Sequence, residues 1–121
     1  MELGLAIIFV KRLETMVSFY GDTLGLVLLK DKSSESWAEF AAGGARLALH
    51  AIPAELAEKV VVTDPPRPRE ETPIKLLFLV DDVAAERTRL LSRGVAMLEL
   101  RAWGACDGVD PEGNVFQIAQ R

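Results

Sequence analysis

Asp110-Pro111-Glu112-Gly113-Asn114, followed by Val115-Phe116-Gln117-Ile118-Ala119-Gln120, brings the chain to a turn and then a strand. Proline early and glycine late suit a loop with one residue at positive φ. Gly113 has an earlier counterpart: Gly44 precedes it by about 69 residues, and Gly25 precedes Gly94 by the same interval. Each of these glycines follows the same kind of apolar stretch. A repeat of that length, present twice, predicts two copies of one small unit within a single domain.

In the second copy, residues 74–80 read as a buried strand. Asp81 or Asp82 can cap a helix running to Arg93, and Gly94 stops it. Residues 95–101, 103–109 and 114–120 read as three further strands. The first copy repeats this order. Residues 3–10 form an apolar run short enough for a strand buried on both faces, and Leu13, Met16, Val17, Tyr20 and Leu24 recur at helical spacing before Gly25. Strands follow at 26–30, 37–42 and 45–50, with Gly43-Gly44 as a hairpin turn. The predicted fold class is therefore α+β, with two βαβββ modules at 3–50 and 74–120 in one domain spanning 1–121. The connector 51–73 contains the charged, proline-rich run 65–71 and reads as exposed. The two sheets are expected to associate about a pseudo-twofold axis and enclose a concave cleft.

Alternation along the strands assigns their faces. Phe116 and Ile118 go under a helix, leaving Val115, Gln117 and Ala119 on the other side. Lys75 shares a face with Leu77 and Leu79. Leu47 and Leu49 enter the core, while Arg46, Ala48 and His50 face the opposite way.

Composition narrows the function. The 121 residues, half of them hydrophobic, suffice for one core, and the net charge of −4 argues against a nucleic-acid partner. No apolar run is long enough to span a membrane, and residues 1–10 lack a basic export signal. The single cysteine, Cys106, agrees with a reducing cytoplasm.

Phe19-Tyr20 with Leu24-Gly25-Leu26, Gly43-Gly44 with Leu47-Ala48-Leu49-His50, Phe78-Leu79-Val80-Asp81-Asp82, and the 110–114 turn together resemble the vicinal oxygen chelate superfamily. That superfamily includes glyoxalase I, bleomycin-resistance proteins, fosfomycin-resistance enzymes and extradiol dioxygenases. The resemblance implies a homodimer and a divalent metal held by side chains of the first and last strands of each module. The corresponding positions here are Leu5, Ala48, Lys75 and Gln117. Only Gln117 offers an oxygen donor, and an ammonium at Lys75 repels a divalent ion, so no metal or other cofactor is expected.

The remaining candidates have both structural and functional readings. His50, the only histidine, reads as a hydrogen-bonded strand-end residue, a general base, or part of a substitute metal site with Glu39 and Gln117. Lys75 reads as an anchor for a carboxylate or phosphate, as a Schiff-base amine if desolvated, or as the partner of Glu39, Glu99 or Asp107. Trp37 and Trp103 read as strand aromatics that either fill a core or wall a ligand site. Cys106 reads as an inert buried thiol. The preferred function is metal-free binding of a small molecule by Lys75, Gln117, His50, Trp103, Leu5 and Ala48, as in antibiotic-sequestering relatives. The alternatives are a lyase, isomerase or dioxygenase with atypical metal ligands, metal-free acid–base chemistry by His50 and Lys75, and a scaffold without a ligand.

Overall fold

Gly25 (φ 84°) and Gly94 (φ 81°) adopt the left-handed conformation that closes a helix, one in each repeat. The computed structural model describes residues 1–121. They form two compact units, Met1–Val61 and Val62–Arg121, whose boundary lies inside the connector expected at 51–73.

The first unit contains β1 (Ala6–Val10), α1 (Leu13–Ser18), β2 (Val27–Leu28), β3 (Trp37–Ala42), β4 (Ala45–Ala51) and a short α2 (Ala54–Ala57). After α1 the backbone widens into a π-helical turn at Phe19–Thr23, where Leu24 N donates to Phe19 O. The sheet order is β1-β4-β3-β2, with β1 parallel to β4 and the other pairs antiparallel. Met16, Phe19 and Tyr20 from the helical segment are buried, as are Phe40, Leu47 and Leu49 from the sheet.

The second unit contains β5 (Leu76–Val80), α3 (Val83–Ser92), β6 (Ala96–Met97), β7 (Ala105–Val109) and β8 (Val115–Gln120), in the sheet order β5-β8-β7-β6. Asp82 caps α3, its Oδ1 accepting from Ala85 N at 2.9 Å. Phe78 meets Phe116 edge-on at 6.1 Å, and Val83, Leu90, Cys106 and Ile118 complete a buried core. Gly108 is required by this packing, since a Cβ there would lie 2.6 Å from Met97 Sδ and against the Phe116 ring.

Both repeats thus have the expected βαβββ order, with differences in detail. The first strand of each repeat is shorter than 3–10 or 74–80 and is not buried on both faces. β1 and β5 are edge strands covered on one face only, leaving Ile7, Phe9, Leu77 and Leu79 about half exposed. The strands expected at 26–30 and 95–101 reduce to two residues each. Trp103 is not on a strand. Gly104 (φ 86°) donates its N–H to Arg101 O at 2.9 Å, so a tight turn occupies the position and β7 starts only at Ala105.

The connector has no fully buried residue, but it is tied down at two points. Lys11 Nζ donates to Val60 O at 2.7 Å within the first unit, and Arg69 N donates to Gly113 O at 2.7 Å within the second.

Candidate functional site

Each sheet turns one face away from its helix, and the strand register fixes what that face presents. In the first unit Phe9, His50 and Trp37 form one row across β1, β4 and β3, and Ile7, Ala48 and Glu39 form the next. The His50 ring lies 5.4 Å from both the Phe9 and Trp37 rings. Ala48 is a fully buried methyl in the floor of this face. Glu39 is buried but satisfied, accepting from Arg46 Nη1 at 2.7 Å and from Trp37 Nε1 at 3.3 Å. Leu5 is half-buried and precedes β1 by one residue.

In the second unit the same face centres on Asp107, which pairs with Gln117 across β7 and β8. Asp107 is only 4% exposed. Its Oδ2 accepts from Lys75 Nζ at 2.9 Å and from Arg101 Nη2 at 2.8 Å, while Oδ1 accepts from Gln117 Nε2 at 2.7 Å. Burial pushes the Asp107 carboxyl up, but the hydrogen bonds from Lys75 and Gln117, with the charges of Lys75 and Arg101, outweigh it and hold the group below its ordinary value. The two cationic side chains remain nearly half exposed.

A cavity of about 280 Å³ adjoins this cluster, with Ile74, Lys75, Leu98, Asp107 and Val115 on the sheet side and residues 68–72 on the other. The connector is held there by the 110–114 turn. Asp110, fully buried, accepts from Glu112 N, Asn114 N and Asn114 Nδ2, and a Cβ at Gly113 (φ 89°) would strike Arg67 O.

The structure therefore brings Lys75 and Gln117 onto one carboxylate. Ala48 and His50 belong to the first unit's sheet, and Leu5 lies just before its first strand. Trp103, 63% exposed, reaches the charged cluster only through Arg101, whose guanidinium carbon lies 5.8 Å from its ring centroid. Cys106 is fully buried, and burial, the largest influence on it, raises its pKa. Arg101 and the cavity wall supplied by the connector are not among the site residues expected from sequence, and Arg46 is expected on this face but not as the partner of Glu39.

A divalent ion does not fit the side chains at the four positions implied by the resemblance. Leu5 and Ala48 have no donor atom, Lys75 is an ammonium on Asp107, and the Gln117 amide nitrogen is directed at the same carboxylate. No group of three histidine, cysteine, aspartate or glutamate side chains is placed to hold a metal ion.

Residues 2–118 match the sequence profile of the Glyoxalase/Bleomycin resistance protein/Dioxygenase superfamily. The chain belongs to that superfamily. Among solved structures, this superfamily member is similar to a glyoxalase/bleomycin resistance protein from Streptomyces sp. CB03234, with 29% identity, 98% of this chain and 100% of that chain covered, and a TM-score of 0.65. TnmS3, an antibiotic binding protein from the same Streptomyces, shares 28% identity over 98% of this chain and 96% of its own, with a TM-score of 0.64. A bleomycin-binding protein complexed with bleomycin shares the fold, at 17% identity, 100% and 99% coverage and a TM-score of 0.65. No curated protein matches the superfamily member in sequence. None of its helices is long and apolar enough to cross a membrane.

Proposed function

We propose that this superfamily member binds a small organic molecule and uses no metal ion to do so. One observation carries the reading. The second unit's positions for metal ligands hold an ammonium and an amide, both bonded to buried Asp107 beside a cavity of about 280 Å³. A pocket of that size with an apolar wall and a few directed polar groups suits a small guest. TnmS3, similar over almost the whole chain, is an antibiotic binding protein, and sequestration is the role that accords with that likeness. In this reading Lys75 and Gln117 supply polar contacts and Trp103 flanks them within the second unit, and any binding role of Leu5, Ala48 and His50 belongs to the first unit's own face. The protein acts as a cytoplasmic homodimer.

A thermal-shift screen of small acids, neutral aromatics and cationic drugs tests this. A guest at a hundredfold excess over its Kd stabilises the folded state by about 2.7 kcal/mol, a rise of several degrees in Tm. A screen in which no organic compound raises Tm while nickel, zinc or manganese does overturns the proposal.

A further inference from the structure

We propose that the guest is an organic anion whose carboxylate is held by Lys75 and Arg101 together, beside Asp107. This rests on the reading that the face binds a small molecule, and it names the ligand's chemical class. Two cations converge on a single carboxylate oxygen, Asp107 Oδ2, at 2.9 and 2.8 Å. One carboxylate neutralises only one of them. The charged side chains that line the cavity are Arg69, Lys75, Glu70 and Asp107, and Arg101 brings a further cation to the same Asp107 oxygen. The chain as a whole carries −4, so two cations gathered on one carboxylate oxygen run against the molecule's net charge.

The donors are available as well as the charge. Lys75 and Arg101 side chains are 42% and 47% exposed, and each retains N–H groups beyond the one given to Asp107. Asp107 holds both cations in place from below and, with three donors already on its two oxygens, has little acceptor capacity left for a cationic guest. Trp103 lies beside the Arg101 guanidinium, within cation–π distance. Ile74, Leu98 and Val115 supply an apolar wall for the rest of the ligand, which favours an organic acid over a bare inorganic anion.

The test is an NMR titration of the full chain with benzoate, benzamide and benzylammonium, which share a ring and differ in charge. Benzoate is expected to bind with shifts centred on residues 75, 101, 107 and 115, to bind about tenfold more tightly than benzamide, and to weaken as salt is added. Lys75→Met and Arg101→Gln should each weaken benzoate by about tenfold, the scale of one charge-assisted hydrogen bond, and weaken benzamide by less. The salt dependence needs no variant and decides the matter even if one of them fails to fold. Benzamide or benzylammonium binding at this face as tightly as benzoate overturns the anion assignment and leaves the small-molecule reading standing. If none of the three binds, the anion assignment falls, and a thermal-shift screen without an organic hit then removes the wider reading too.

Discussion

Asp107 is buried with three donors on its two oxygens, so protonating it in the folded state is unfavourable. Its folded pKa lies below the ordinary 3.8, so the unfolded chain takes up the proton first. Its stabilising contribution is present above that ordinary value and is lost as the pH falls through the lower folded value. Asp107→Asn should therefore destabilise by about 1–2 kcal/mol at neutral pH in urea unfolding, the low end for a buried ion pair because both cations can turn to water. The difference from wild type should shrink on acidification, and a pH-independent difference contradicts the assigned role. A second substitution probes the same place from the metal side. Lys75→Glu sets a new carboxylate beside that of Asp107, near the Gln117 amide, and calorimetry should detect manganese affinity above wild type; no gain means that position 75 does not face the cluster in solution. The sequence made part of this legible. The sequence offers Asp107 as one of three acids for Lys75, and alternation puts Gln117 on the open face. The Gly43-Gly44 hairpin register, which pairs Glu39 with Ala48 and Ala41 with Arg46, also implies the diagonal Glu39–Arg46 contact. Arg101 had no such signal, because it opens the Arg101–Gly104 turn, beyond β6, where the two-residue period no longer operates.

Elements were easiest to read where punctuation and hydrophobic period agreed. Asp82 and Gly94 bracket α3 as expected, and β3 spans the predicted 37–42. Prediction failed where a strand's partners, which the sequence does not name, decide its length and burial. β1 and β5 looked buried on both sides because they are apolar throughout, yet each lies at a sheet edge with a helix on only one face. The 110–114 turn was recognised from its residues, but its hold on the connector was not, because that depends on Gly113 accepting Arg69 N and leaving room for Arg67 O. Gly113→Ala adds a Cβ at positive φ and against that carbonyl. It should cost about 1–3 kcal/mol and loosen the 67–69 segment. Hydrogen exchange at the Arg69 amide reads this directly, and unchanged protection there would show that the turn does not anchor the connector. Asp82→Ala should cost about 1 kcal/mol through loss of the α3 cap, measured by urea unfolding; no loss would assign the helix start to packing alone.

Across the whole molecule, two repeats of one architecture carry different surfaces. The first sheet presents an aromatic row, Phe9, His50 and Trp37, above the Glu39–Arg46 pair. The second presents Lys75, Arg101 and Gln117 gathered on Asp107. The repeat and the resemblance together made the fold legible from sequence, and superfamily membership bears that out. They do not determine the chemistry, because a shared fold supports many sites. The positions that the resemblance aligns with chelating side chains carry an isobutyl group, a methyl, an ammonium and an amide here. Metal analysis of protein purified without added metal or chelator tests this exchange most directly. The expected result is a transition-metal content far below one ion per chain; one equivalent of nickel, zinc, manganese or iron that is lost on Gln117→Ala would contradict it.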